Sequence, residues 1–258
     1  MQEVTRYLAA QFNRTSLFLR NENFSQVISS ISSAYNFAVL EFTAGSQITA
    51  RLLLVCCQAF YSSVSCIARG TPSDSAGPSR RALEAARTAL AVAKDPENLQ
   101  KWTAFQARLA RWEIRQDGGK PPSLKIQYSV LEANKLGQKM ATLIGILSDA
   151  SVHFTPEFIS QLNYKHDQSG KSIYLEFLEE RVDEQARAIK LLSAIHFTIL
   201  RAFDQCCGGA LARSRGCREA MQDIEVMASE LWDKYPFKVE PELERKFRDA
   251  ASSTEQES

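Results

Sequence analysis

A chain of 258 residues, 45% apolar and 24% charged, is long enough to bury a full core without disulfides or metals. Its formal net charge of +1 removes any whole-molecule argument for nucleic acid or membrane binding. The 11 Gly and 8 Pro fall in clusters, which is how helical proteins punctuate their turns.

The N-terminus, Met-Gln-Glu-Val, has no basic start leading into an apolar run, so no secretory signal is read and a cytoplasmic setting is expected. The longest apolar stretch, 52–68, carries Gln58, Ser62, Ser63 and Ser65 and is short of the roughly 20 apolar residues of a bilayer span. In that setting the 6 cysteines are expected as reduced thiols. The glycosylation patterns at Asn13 and Asn23 are then chance matches.

Residues 2–20 read as a first helix, with Val4, Leu8, Phe12 and Leu19 near one face. After a break at Asn21-Glu22-Asn23, Phe24 to Phe42 reads as a second, with Ile28, Ile31, Tyr35, Val39 and Phe42 at spacings of three and four. A third, from Gln47 to Arg69, is apolar on most sides and is expected to be the central helix. Between Asn23 and Ala68 only Glu41 and Arg51 are charged. This predicts a buried, charge-poor helical hairpin around which the rest packs.

The segment Gly70 to Ser79 reads as a flexible exposed loop and a possible subdivision near 70–79, with Ser79 capping a fourth helix to Lys94. Asp95-Pro96 closes that helix and opens a fifth, to about Gln116. After the break at 117–122, Ser123 is expected to cap a sixth helix reaching Asp149. A short helix at 156–164 and a turn at 165–170 precede a helix of about 35 residues, Ser172 to Cys206, ended by Gly208-Gly209. Another covers Ala210 to Lys234, and 240–250 reads as a last short helix.

No segment alternates as a strand bounded by hairpin turns. The expected fold is all-α: a bundle of about seven to nine helices forming one domain over 1–251, with a disordered polar tail at 252–258.

Chemical motifs are scarce. Cys56-Cys57 with Cys66, and Cys206-Cys207 with Cys217, form two similar groups, but neither has the C-x-x-C spacing of a zinc site. They read as buried structural thiols. The run Asp167 to Ser172 ends like a phosphate loop, but Lys165 stands where the first Gly is required. His153, His166 and His196 lack metal-ligand spacing, and His196 reads as a satisfied core residue. Nothing points to catalysis, a metal or a cofactor.

The fifth helix carries the candidate site. Lys101, Arg108, Arg111 and Arg115 fall within an arc of roughly 80°, beside an apolar arc of Trp102, Phe105, Leu109 and Trp112. Charge is also segregated: 80–139 holds 12 basic and 6 acidic residues, and 219–258 holds 11 acidic and 5 basic. Opposite ends of this kind attract, within one molecule or between copies.

The pattern suits a non-catalytic protein-interaction or assembly protein, bound to a protein partner or to copies of itself. One alternative is a nucleocapsid-like, nucleic-acid-coating protein using 80–139. Another is a peripheral membrane protein attached through Trp102, Trp112 and the basic residues.

Overall fold

The computed structural model describes residues 2–42, 47–115, 120, 122–152, 164–166, 173–175 and 182–235. The chain is helical, as the periodicity predicts. In chain order come α1 (Gln2–Arg20), α2 (Glu22–Phe42), α3 (Gln47–Ala68), a 3-10 turn (Pro72–Ser75), α4 (Ala76–Lys94), α5 (Pro96–Arg115) and a second 3-10 turn (Ser129–Leu131). Then follow α6 (Lys135–Val152), β1 (Tyr164–His166), β2 (Ile173–Leu175), α7 (Val182–Cys206), α8 (Ala210–Arg213) and α9 (Arg215–Lys234).

The core lies between α2, α3, α4 and α7. Phe24, Val27, Ile31 and Tyr35 line the inner side of α2, and Leu53, Cys56, Phe60 and Ile67 that of α3. From α7, Ile189, Leu192, Ile199 and Phe203 reach the same cluster. α9 closes one flank against α2 and α7 through Cys217, Ala220, Ile224 and Leu231.

The central position belongs to α4 rather than to α3. α4 packs against α3, α5, α6 and α7, and Ala82, Ala85, Ala86, Ala89 and Ala91 are among its buried residues. Alanine leaves backbones free to approach on several sides and scarcely registers as an apolar stripe, so α4 does not announce itself in the hydropathy pattern.

α3 leaves one face open, an arc of about 100° that runs through Arg51, Leu54, Gln58 and Ser62. Leu54 is 53% and Leu40 of α2 is 66% exposed, and Glu41 and Arg51 both face solvent. A charge-poor surface is not necessarily a dry one: Gln26, Ser29, Asn36, Gln58, Ser62 and Ser65 give the outer side of this pair enough polarity to meet water. Among the described residues α3 alone is long and apolar enough to cross a membrane, by length and composition.

Several expected boundaries move. The loop at 70–79 contracts, because Pro72 opens a 3-10 turn and Pro78 sits in the first turn of α4, where a missing N–H costs nothing. Ser79 is therefore not a cap: it is buried and shares a 3.0 Å hydrogen bond with Ser63. The expected start of the sixth helix at Ser123 is also wrong. Residues 122–128 run without helix, with Leu124, Ile126 and Tyr128 half-buried and Ser123, Lys125 and Gln127 exposed, an alternation of period two. The cap of α6 is Asn134, whose Oδ1 accepts from the Gly137 N–H at 2.9 Å.

Of the helix expected over Ser172 to Cys206, Val182–Cys206 is described as helix, while Ile173–Leu175 instead pairs antiparallel with Tyr164–His166. This three-residue ladder, with Tyr164 opposite Leu175, is a small addition to a fold that is otherwise all-α, as expected. The helices expected over 156–164 and 240–250, the turn around 167–170 and the polar tail lie outside the described residues, Tyr164 of β1 excepted.

Two sequence breaks stand where expected. At the α4–α5 corner Oδ1 of Asp95 accepts from the Glu97 N–H at 2.9 Å, with Pro96 opening α5. After α7, Gly208 and Gly209 take φ of 62° and 81°, the left-handed region that closes a helix cheaply with glycine.

Candidate functional site

The predicted face of α5 divides into two parts. Beyond Asn98, none of the described α5 side chains is buried. Trp102, Phe105, Leu109 and Trp112 are half-covered, and the rings of Trp102 and Phe105 lie 6.3 Å apart. α5 packs chiefly on α4, so its outer turns have little beneath them. Arg108 and Arg111 face solvent, with Arg111 Nε donating to the Ala107 carbonyl at 3.0 Å. Lys101 is half-buried and pairs with Glu97 at 2.8 Å, which removes it from the open basic patch. Arg115 ends α5, and its side chain lies outside the described part.

Trp102 turns inward to a cavity of about 620 Å³ between α3, α4, α5, α6 and the strip 122–128. Leu52 and Val55 contribute from α3, Ile144 from α6, and Ile126 and Tyr128 from the strip. Three cations, Arg81, Arg87 and Lys125, line it against one carboxylate, Glu84, which already pairs with Arg80 at 2.8 Å. The Arg87 guanidinium sits 4.4 Å from the centre of the Tyr128 ring. Its Nε is buried and has no hydrogen-bond partner. The Tyr128 hydroxyl shares a 2.9 Å hydrogen bond with Thr88, which fixes the ring that the guanidinium stacks on.

One residue, missed by sequence reasoning, holds this wall in place. Asn98 is fully buried. Its amide donates to the Gln127 carbonyl at 2.9 Å, and its Oδ1 accepts from the Gln127 N–H at 2.9 Å. A second donation reaches the Ala91 carbonyl at 3.4 Å. The side chain thus imitates a strand edge for the strip and ties it to the α4–α5 corner. An Asn in the first turn of a helix gives no local sign of this role, because its partner is 29 residues away.

A second polar centre lies inside the core. The Tyr35 hydroxyl and His196 Nδ1 are 2.6 Å apart, and both residues are fully buried. Phe60 stands edge-on to the imidazole, with centroids 5.1 Å apart. Nε2 of His196 has no partner, so the residue is half satisfied rather than fully so. Burial pushes the imidazole pKa down to about 3. The imidazole is walled in by the rings of Tyr35 and Phe60.

Compared with protein families, curated proteins and solved structures, the chain matches none.

Members of the two cysteine groups meet across helices: Cys56 of α3 lies near Cys206 of α7, and Cys207 near Cys217 of α9. Cys56 is buried and its thiol donates to the Ala82 carbonyl at 3.2 Å. Burial raises its pKa, and the neighbouring Cys57 and Cys206 raise it further. Burial, then the adjacent Cys207, pushes Cys206 up to about 12. All six thiols are free, and no metal-ligand group of three or more exists among the described residues. Thiols held protonated in this way are poor nucleophiles and poor metal ligands.

Proposed function

We propose that this is a non-catalytic helical assembly protein, and that the outer face of α5 docks on α9 of a second copy. The observation that carries this reading is the exposed, half-covered aromatic and basic surface of α5, matched by an acidic surface on another element. α2 and α3 serve as the charge-poor hairpin of the scaffold, with α4 and α7 packed on it.

On α9, Asp223, Glu230 and Asp233 are exposed around Val226, which is itself 58% exposed. At about 100° per residue these four lie within an arc of about 80°, opposite the buried stripe of Cys217, Ala220 and Ile224. α5 packs on α4, while α9 packs on α2 and α7. The two charged faces therefore belong to different flanks, and a contact between them is heterologous: it repeats from copy to copy and builds a ring or a filament. Charge steers such a contact, and the apolar centre (Trp112 and Phe105 against Val226) supplies burial.

The test is mass in solution by light scattering at about 50 mM salt, repeated at about 0.5 M, where screening shortens to a few Å. Association at low salt, lost in Arg108→Glu/Arg111→Glu and in Asp223→Lys/Glu230→Lys, supports the reading. Mixing the two variants restores it, because each retains the face the other has lost. A monomer at every salt concentration and protein concentration overturns it. An absorbance ratio at 260 and 280 nm showing retained nucleic acid assigns α5 to phosphate instead.

A further inference from the structure

We propose that the cavity beside Trp102 is a binding site for a small amphipathic anion, a molecule with an apolar or aromatic body and one sulfonate-, phosphate- or carboxylate-type group. This goes beyond the assembly reading and does not need it, since the cavity lies on the inner side of α5.

Three features point to that ligand. The first is size: about 620 Å³ falls in the range that holds a drug-sized molecule, and is small for a folded peptide segment. The second is lining. Leu52, Val55 and Ile144 form an apolar floor, and Trp102 and Tyr128 offer ring faces to a flat or chain-like body. The third is charge. Arg81, Arg87 and Lys125 stand against Glu84 alone, and Glu84 is engaged by Arg80.

Arg87 is the centre of the site. The Tyr128 ring holds its guanidinium in place, and its buried Nε lacks an acceptor. Nε lies out of solvent reach, so the half-buried side chain meets a ligand through its terminal guanidinium nitrogens, and an anionic oxygen is the acceptor that matches them best. Lys125, exposed on the strip, closes the rim with a second positive charge. Asn98 keeps the strip in register with α4, so the cations and rings are organised before a ligand arrives.

The probe is 1-anilinonaphthalene-8-sulfonate, an aromatic body with one fixed anion, titrated by fluorescence against the folded full-length protein. The control is N-phenyl-1-naphthylamine, nearly the same body without the charge. The expected result is saturable binding of one sulfonate per chain, with energy transfer from Trp102 that is lost in Trp102→Phe. Arg87→Gln weakens the sulfonate about tenfold, the effect of losing one charge-assisted hydrogen bond. Lys125→Gln weakens it by a smaller factor, and neither substitution changes binding of the neutral compound.

Near-ultraviolet circular dichroism checks that each variant keeps its packing. If Arg87→Gln does not, the rim variant Lys125→Gln decides. Equal affinity for the sulfonate in the native protein and in the folded variants overturns the proposal. So does equal affinity for the charged and the neutral compound.

Discussion

The hydroxyl of Tyr35 on α2 lies 2.6 Å from Nδ1 of His196 on α7, a contact between residues 161 positions apart that joins the two helices at the centre of the core. Cores seldom hold an imidazole, and this one has a single polar partner while its Nε2 has none. The arrangement stores a pH dependence. Burial takes the imidazole pKa from 6.5 to about 3 in the folded chain, so between those values the unfolded chain binds a proton that the native chain excludes. The contribution is fully present above pH 6.5 and is lost as pH falls toward 3, at up to about 1.4 kcal/mol per pH unit. Urea unfolding midpoints should be level between about pH 7 and 8 and fall between about pH 6 and 5, before carboxylates titrate. His196→Asn should flatten that slope; parallel profiles would assign it elsewhere.

Removing the other partner tests the same contact at neutral pH. Tyr35→Phe preserves the ring packing against Phe60 and leaves His196 with no hydrogen bond at all. A loss of about 1–3 kcal/mol is expected, read as a lower melting temperature with an unchanged denaturant slope. A shift within error of zero would mean that water reaches the imidazole.

Asn98→Ala removes both bonds to Gln127 and the one to Ala91. A buried polar side chain with this many bonds contributes about 2–4 kcal/mol, including the backbone groups left unpaired. The second consequence is local. The strip 122–128 should come free of the α4–α5 corner, so trypsin should cut after Lys125 faster than in the native protein. Faster cutting at Lys125 with little change in global melting would confine Asn98 to local anchoring, and unchanged cutting would contradict the tie.

The thiols make a chemical prediction. Burial holds Cys206 at about 12 and Cys217 at about 11, and raises Cys56 as well. Since the thiolate is the nucleophile, iodoacetamide at about pH 8 should leave these three largely unmodified in the native protein. All six should react in guanidinium. Peptide mass spectrometry reads each site separately, and native labelling of Cys206 at the rate of a free thiol would contradict the packing of α3 on α7.

Local patterning carries much of this fold. Helical periodicity places α1, α2, α3 and α5 to within about two residues, because burial of one stripe repeats every turn and leaves its mark in the chain itself, while the single helix expected over Ala210 to Lys234 is broken at Ser214 into α8 and α9. Asp95-Pro96 and Gly208-Gly209 are legible for the same reason: a cap and a left-handed terminus are matters of one residue's own chemistry. The basic arc of α5 is visible too, but its division is not. Nothing local says that Lys101 is taken by Glu97 while Arg108 and Arg111 stay open, or that Trp102 faces a cavity.

Features made by distant residues appear only when the chain has folded. The period-two alternation of Ser123 to Tyr128 is a local sign against a helix there, but that Asn98 hydrogen-bonds the edge of this strip is visible only in the fold. Alanine-rich α4 becomes central only because other helices close on its small side chains from several directions. Tyr35 and His196, or Arg87 and Tyr128, acquire their chemistry from proximity across 161 and 41 positions, where no pattern in one short window reaches. A residue's secondary structure is set largely by its neighbours in the chain. Its hydrogen-bond partner, its solvent and hence its proton affinity are set by whatever the fold brings beside it.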